Sequence, residues 1–239
     1  MIADGVQEAE FQVDSVLMIG QSNMAGRGDM ADVKPIRDPR CFMLRNGRWQ
    51  PMREPVNPDR PIFEGRYRSG VSLAASFAGD YARHFDRPVG LIPCADGGTA
   101  MLQWMPGELL YDHAVCLTRL AQRTSRLTAI IWHQGESDCL CDADVEAYKA
   151  RFIPFITRLR RDLGAEDVPV ILGQLHEAVG GIRLNPILQE IAREVSGCGV
   201  ASAEGLTLKA DGLHFDAVSC RELGSRYFQK YLEIKKNLL

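Results

Sequence analysis

Short apolar runs alternate with amphipathic segments along most of the chain. Five runs are apolar enough for buried strands, at about 15–19, 89–93, 128–132, 168–175 and 200–203. Five segments with apolar residues at helical spacing lie between and after them, at about 69–85, 111–123, 143–163, 186–196 and 217–236. Continuous apolar strands alternating with helices predict an α/β fold, whose five-stranded parallel sheet is covered on both faces.

Local residue choices refine the expected ends of these elements. Ser69 is a candidate cap for the first long helix, and Asn185 is one for the fourth, with Pro186 at its first position. The segment 29–68 has weak periodicity, so we expect an irregular insertion near the active-site edge. It contains a candidate hairpin through 41–44, because Asn46-Gly47 is a typical hairpin turn.

Composition limits the classes of function. With 239 residues, one domain over 1–239 is expected. A net charge of −3 gives no electrostatic support for a nucleic-acid or anionic-membrane partner. The chain has no run of about 20 apolar residues that could span a bilayer. Its first residues are acidic and include no apolar stretch, so we expect no secretory signal. The seven cysteines form no Cys-x-x-Cys pair, so we expect a reduced, cytoplasmic protein with no metal and no cofactor.

Polar clusters follow the predicted strands. Right-handed crossovers place all the carboxyl ends of parallel strands at one edge of the sheet. Distant parts of the chain should therefore converge there, namely Ser22, Gly97-Gly98, Gln134-Gly135-Glu136, His176-Glu177 and the pair Asp211 and His214. The residues that carry chemistry are expected within this set.

A nucleophilic serine is the central candidate. Ser22 follows the first apolar run across a turn at Gly20, and a serine hydroxyl needs an adjacent base. His214 is the best candidate base, since Asp211 three residues earlier can bind one imidazole nitrogen while the other faces a hydroxyl. By themselves, Asp211 is also typical of a turn or helix cap, and His214 of a surface histidine.

Oxyanion donors are also available after the second and third strands. The Gly97-Gly98 turn can present a backbone N–H, and Gln134 can offer its side-chain amide. By themselves, the glycines are also typical of an ordinary turn, and Gln134 of a buried, hydrogen-bonded glutamine. Glu136 can either orient His214 or hold Gln134 and the nearby loops. Trp104 is a candidate wall of the pocket, although a large aromatic residue is at least as often plain packing.

Four blocks of the sequence together resemble a known family. They are Gly20-Gln21-Ser22-Asn23-Met24-Ala25-Gly26, Gly97-Gly98-Thr99 with Trp104, Trp132-His133-Gln134-Gly135-Glu136-Ser137-Asp138, and Asp211-Gly212-Leu213-His214. In this order they are similar to the carbohydrate acetylesterases of the SGNH-hydrolase superfamily, the sialate O-acetylesterase and acetylxylan esterase group. The resemblance covers most of the chain.

The resemblance carries specific implications. It implies a flavodoxin-like α/β/α sandwich and a triad of Ser22, His214 and Asp211. The oxyanion hole would consist of the Ser22 and Gly98 N–H groups and Gln134, and in this branch Glu136 can share the role of Asp211. Four residues of the motifs are expected to support the site: Gln21, Asn23, Gly97 and Glu136. The expected substrate is an acetylated sugar or oligosaccharide.

Two other functions stay open from the sequence. The first is another acyl hydrolase on the same fold, such as a lysophospholipase or thioesterase, although no long apolar lid segment is present. The second is a non-enzymatic nucleotide or phosphate binder built on the glycine-rich stretch at 20–28. That stretch lacks the Gly-Lys-Ser/Thr ending of a phosphate loop, and a binder leaves Asp211 and His214 unexplained.

Overall fold

A single sheet of seven strands organises the part of the chain that the computed structural model describes, residues 13–58 and 68–238. Its strands are β1 Val13–Gly20, β2 Cys41–Arg45, β3 Arg48–Pro51, β4 Val89–Pro93, β5 Ser125–His133, β6 Val170–Gly173 and β7 Cys198–Ala201. Their spatial order is β3-β2-β4-β1-β5-β6-β7. Only the β2–β3 pair is antiparallel.

The predicted fold class is confirmed, but the predicted count of five strands is wrong. The five expected strands are all present and parallel, with β6 and β7 shorter or shifted at their ends. The two additional strands are the hairpin in the 29–68 segment, whose turn residues Asn46 and Gly47 both have positive φ. The hairpin joins the sheet because β2 pairs with β4 in parallel. Residues 59–67 of the predicted irregular insertion lie outside the described residues.

Helices cover both faces of the sheet. They are α1 Ser22–Ala25, α2 Leu73–Phe85, α3 Leu109–Ala121, α4 Asp142–Leu163, α5 Gly181–Glu194 and α6 Ala217–Asn237. The side chains of β1 alternate between two cores: Val16 and Met18 pack with α2 and α6, whereas Leu17 and Ile19 pack with α3, α4 and α5. Both faces of the central strand are therefore buried, as a three-layer α/β/α sandwich requires.

Two predicted helix caps are wrong. The N-cap of α2 is Ser72, whose Oγ accepts a hydrogen bond from the Ala74 N–H, and not Ser69. Helix α5 begins at Gly181, five residues before the predicted start at Pro186. Asn185 lies inside α5, where its side chain binds both the N–H and the C=O of Leu175. This long-range bridge is a tertiary contact, which local sequence does not show.

Candidate active site

Ser22 lies at the carboxyl edge of the sheet, two residues after the end of β1. Gly20 ends the strand at φ +130°, and a Cβ there would lie 2.1 Å from the carbonyl oxygen of His133. Only glycine fits this crossing between β1 and β5. The Gln21 N–H donates to the same carbonyl, and Ser22 opens the one-turn helix α1 with 5% of its surface exposed. The serine is thus held by backbone structure on both sides.

Ser22, His214 and Asp211 form one hydrogen-bonded chain. The Oγ of Ser22 lies 3.0 Å from Nε2 of His214, and Nδ1 of His214 lies 2.9 Å from Oδ2 of Asp211. The second carboxylate oxygen, Oδ1, accepts from the backbone N–H groups of Leu213 and His214. Ser22 follows β1, whereas the other two residues come from the loop between β7 and α6, where His214 lies 192 positions from the serine.

The charge of Asp211 fixes the direction of these hydrogen bonds. Burial raises the pKa of its carboxyl, but the hydrogen bonds from His214 and Leu213 outweigh burial and lower the pKa to about 2. An ionised carboxylate only accepts hydrogen bonds, so Nδ1 of His214 carries the proton. In the neutral ring Nε2 is therefore the unprotonated nitrogen, which can accept a hydrogen bond from the Ser22 hydroxyl. This is the polarity that a general base requires.

The loop after β4 passes directly beside the serine. A Cβ built on Gly97 would lie 3.6 Å from the Cβ of Ser22 and 2.5 Å from Nη2 of Arg27. The backbone can approach this closely because Gly97 has no side chain. Gly98 follows with φ +75°, and a Cβ there would meet no atom within 4 Å. Among the described residues, the backbone N–H groups of Ser22 and Gly98 have no hydrogen-bond acceptor.

Gln134 has the contacts of a buried, hydrogen-bonded glutamine, which is the alternative to an oxyanion donor. Its Nε2 donates to the carbonyl of Thr99 at 2.8 Å and to Oδ2 of Asp138, while its Oε1 accepts from the hydroxyl of Tyr148 at 2.9 Å. The side chain is fully buried. Both amide protons are therefore engaged, and Gln134 ties the β5 exit loop to the loop after β4.

Glu136 contacts the neighbour of the serine, and no contact with His214 is present in the described structure. Its Oε1 accepts from Nδ2 of Asn23 at 2.6 Å. Asn23 in turn contacts both neighbours of His214, since its Oδ1 accepts from the Phe215 N–H at 3.1 Å and its Nδ2 lies 3.4 Å from the Leu213 carbonyl. The structure does not show Glu136 in contact with His214. It shows Glu136 holding Asn23, which contacts the loop that carries His214.

Burial changes the titration of Glu136 and of the histidine beside it. Desolvation raises the pKa of Glu136 to about 6, against the hydrogen bond from Asn23, and lowers the pKa of His133 to about 3. The two groups lie 3.7 Å apart, from Nε2 of His133 to Oε1 of Glu136. Tyr227 uses its hydroxyl proton on the Trp132 carbonyl, so the contact between its hydroxyl and Nδ1 of His133 places the ring proton on Nδ1.

Gln21 is the remaining predicted supporting residue. Its Oε1 faces three donors after β5, namely Nε2 of Gln134 at 3.3 Å and the N–H groups of Gly135 and Ser137 at 3.4 Å. These contacts are long, but they converge on one oxygen. They join the turn before the serine to the β5 exit loop.

Several residues that shape the site were not predicted. Asp138 accepts from the Met101 N–H with both oxygens at 3.1 Å, as well as from Gln134. The Tyr148 hydroxyl donates to Oε1 of Gln134, and the guanidinium of Arg27 lies beside Gly97. The position of Asp138 at the end of the same motif as Gln134 was the available indication. Tyr148 lies on α4, and its part in the site follows only from the tertiary fold.

Of the two roles considered for Trp104, pocket wall and plain packing, the structure shows packing. Trp104 is fully buried, its ring packs edge-to-face against Trp132 with centroids 5.3 Å apart, and its Nε1 donates to Oγ1 of Thr99. It therefore supports the loop after Gly98 from below. His176 is half-buried at the β6 exit, and its ring lies beside Phe215 rather than beside Ser22.

Two further findings concern metals and membranes. Within residues 13–58 and 68–238, no group of three or more His, Cys, Asp or Glu side chains is arranged to hold a metal ion. None of the helices in the described part of the chain combines the length and the apolar composition that a membrane span needs.

Solved structures share this architecture. A protein from Arabidopsis thaliana superposes with a TM-score of 0.85 at 28% identity, covering 93% of this chain and 98% of that one. A carbohydrate acetylesterase from Xanthomonas citri superposes with a TM-score of 0.66 at 17% identity, covering 94% of this chain and 57% of that one. At this lower identity the likeness shows the fold alone.

Sequence comparison identifies the family. A probable carbohydrate esterase from Arabidopsis thaliana is 32% identical over 236 residues, which is 90% of this chain and 89% of that protein. The family model described as "carbohydrate esterase, sialic acid-specific acetylesterase" matches residues 12–233, nearly the whole chain. The chain therefore belongs to this carbohydrate esterase family, and it is a carboxylic ester hydrolase.

Proposed function

We propose that this enzyme removes O-acetyl groups from carbohydrates by a serine mechanism that passes through an acetyl-enzyme. The observation that carries the proposal is the chain of short contacts from Ser22 to His214 to Asp211, at 3.0 Å and 2.9 Å. The substrate class is supported by membership of the carbohydrate esterase family. Which sugar carries the acetyl group is the subject of the experiment below.

The first half of the reaction forms the acetyl-enzyme. Nε2 of His214 takes the hydroxyl proton as Oγ of Ser22 attacks the acetyl carbonyl carbon, and the ionised Asp211 stabilises the imidazolium. The backbone N–H groups of Ser22 and Gly98, which lack acceptors among the described residues, are the proposed donors to the oxyanion. When the tetrahedral intermediate collapses, the sugar oxygen leaves with the proton from His214.

The second half restores the enzyme. A water molecule gives a proton to Nε2 of His214 while its oxygen attacks the acetyl carbonyl carbon. The bond to Oγ of Ser22 then breaks, and the proton returns to the serine as acetate leaves. The sum of the two halves is one ester and one water converted into one sugar hydroxyl and acetic acid. The same two oxyanion donors serve both halves.

The proposal is tested by acetate release from two substrates, acetylated xylo-oligosaccharides and O-acetylated sialic acid. The wild-type enzyme should release acetate from at least one of them, and Ser22→Ala should lose on the order of 10⁶ in kcat. Ser225→Ala, a serine on α6 outside the site, is the matched control and should keep wild-type activity. A folded Ser22→Ala protein with appreciable turnover would refute the serine mechanism.

Acyl-chain length separates this proposal from a lysophospholipase or thioesterase. We expect kcat/KM to fall at least tenfold from acetyl to butyryl p-nitrophenyl esters, because forcing methylenes into a packed site costs about 1–3 kcal/mol. Octanoyl esters should be nearly inert. Equal rates on octanoyl and acetyl esters would favour the other hydrolases, and a protein that hydrolyses no ester would favour a non-enzymatic binder.

A further inference from the structure

A second concave region lies at the same sheet edge as the serine. It is a cleft of about 740 Å³ between the β6 exit, the first turns of α5 and the β7 exit. This volume lies within the range of ligand sites in proteins, which is about 300–1,000 Å³. Its wall includes Gln174, His176, Ile182, Gln189 and Glu204. None of these residues has a role in the chemistry proposed above.

The sheet topology places this cleft within reach of a substrate bound at Ser22. β6 is two strands away from β1, and adjacent strands lie about 4.8 Å apart, so the near side of the cleft is about 10 Å from the serine strand. The ring of His176 lies 6.3 Å from that of Phe215, which directly follows the proposed base His214. The cleft therefore borders the loop that carries His214.

The polar groups of the cleft suit a ligand that both donates and accepts hydrogen bonds. Nδ1 of His176 accepts from the Ala178 N–H, so in the neutral ring the proton is on Nε2, which is a donor. Oε1 of Gln174 accepts from the Ala203 N–H, and among the described residues its amide N–H₂ has no partner. The Gln189 amide supplies a further donor and an acceptor.

The apolar and charged groups that line the cleft favour an uncharged ligand with both polar and apolar surfaces. Ile182 and Pro186, one helical turn apart on α5, present apolar surface beside these polar groups, and Ile182 is 72% exposed. The carboxylates of Glu177 and Glu204 line the cleft, and no lysine or arginine of the described chain does. A ligand with a carboxylate would be repelled, whereas uncharged sugar rings offer hydroxyl groups to the polar atoms and C–H faces to the apolar surface.

We propose that this cleft is a distal subsite for neutral glycosyl units, which holds the sugar chain that carries the acetyl group at Ser22. The inference rests on the proposed function, because it assigns the cleft to the alcohol side of that ester. It predicts that affinity for an acetylated oligosaccharide depends on the cleft, and that turnover of a small aryl acetate does not. The cleft acts through substrate binding, so the effect should appear in KM.

The test compares p-nitrophenyl acetate with acetylated xylotetraose and mannotetraose. Gln189→Ala removes the amide that would bind a sugar in the cleft, and Gln189→Trp fills the cleft. Gln229→Ala, on the exposed side of α6, is the matched control. We expect KM for at least one oligosaccharide to rise about fivefold to tenfold in both Gln189 variants, with unchanged kcat and unchanged kcat/KM for p-nitrophenyl acetate. Unchanged KM for both oligosaccharides would overturn the proposal.

A binding measurement separates failure of this inference from failure of the proposed function. Calorimetric titration of the Ser22→Ala protein with unacetylated xylotetraose and mannotetraose needs no catalysis. Binding of either, weakened by Gln189→Trp in the same background, supports the subsite even if the wild-type enzyme proves inactive on acetylated sugars. No binding by a protein whose wild-type form hydrolyses p-nitrophenyl acetate would refute the subsite and leave the esterase proposal standing.

Discussion

Nδ2 of Asn23 lies 2.6 Å from Oε1 of Glu136, which links the residue after the serine to a buried carboxyl on the β5 exit loop. The same amide side chain accepts from the Phe215 N–H and approaches the Leu213 carbonyl. Because Leu213 and Phe215 flank His214, Asn23 fixes the base loop relative to the serine. Glu136 holds Asn23 in place and therefore acts on His214 indirectly.

Removing Asn23 should therefore reduce turnover more than it disrupts the fold. Asn23→Ala leaves Oε1 of Glu136 and the Phe215 N–H without partners, which should cost about 1–3 kcal/mol of unfolding free energy. Displacement of His214 should lower kcat for p-nitrophenyl acetate by up to about 10²-fold. Asn185→Ala is the matched control, since that half-buried amide also binds two backbone groups but holds the Leu175 loop. Equal kcat losses in both variants would contradict a positioning role for Asn23.

The two candidate acids should separate clearly on substitution. Asp211→Asn removes the charge bound to Nδ1 of His214 and should lower kcat by about 10⁴, by analogy with the serine-protease triad. Glu136→Gln keeps an Oε1 that can accept from Asn23, so its loss should be much smaller. The measurement is kcat for both variants after circular dichroism has shown that each is folded. A larger loss in Glu136→Gln would reverse the assignment of the acid.

Gln134 offers a test of whether its amide is structural or catalytic. Gln134→Leu removes a donor from the Thr99 carbonyl and from the buried Asp138 carboxyl, which keeps the Met101 N–H, so the unfolding free energy should fall by about 1–3 kcal/mol. An oxyanion donor contributes about 10²–10³ in kcat, and we expect a smaller loss here. Denaturant unfolding and steady-state kinetics on the same preparation decide the matter. A 10³-fold fall in kcat at unchanged stability would restore the donor role.

Glu136 should make stability depend on pH in an unusual direction. Its folded pKa of about 6 lies above the ordinary value of 4.5, so its contribution to stability is fully present below pH 4.5 and is lost as pH rises to about 6. The loss is about 2 kcal/mol. The lowered pKa of His133 acts in the opposite sense, because its protonation in the unfolded chain removes stability as pH falls below about 6.5.

The difference between wild type and Glu136→Gln isolates the carboxyl from His133. The unfolding free energy of the wild type relative to the variant should decrease by about 2 kcal/mol between pH 4 and pH 7. Urea unfolding at half-unit pH intervals measures this difference. A difference that is constant over this range would show that the Glu136 pKa is not raised.

The sequence predicted the parts of the site that follow from topology. Ser22, Gly97 and His214 each follow a buried strand, so the parallel sheet alone brings them to one edge. The structure differs from these predictions where a side chain contacts residues that are distant in the sequence. Gln134 was expected to face the substrate, yet Asp138 and Thr99 take its protons, and Trp104 packs on Trp132 in the core. Such choices depend on burial and on the positions of neighbouring loops.

The extra strands illustrate the same limit on fold prediction. The Asn46-Gly47 turn identified a hairpin, but nothing local indicated that β2 would pair with β4 and extend the sheet. The cap of α5 was misplaced for a related reason. Asn185 has the side chain of a typical N-cap, but it binds the backbone of Leu175 from inside the helix. Long-range pairing decided both outcomes.

Mapping of covalent modification tests most directly whether Ser22 is a nucleophile activated by His214. The wild-type protein and His214→Ala are each treated with a fluorophosphonate, which reacts with activated serines, and the modified peptide is located by mass spectrometry. We predict one label, on Ser22, in the wild type, and a label that is lost or slowed by orders of magnitude in His214→Ala. A wild-type enzyme that hydrolyses p-nitrophenyl acetate but carries its label on another residue, or is labelled equally fast without His214, would contradict the account.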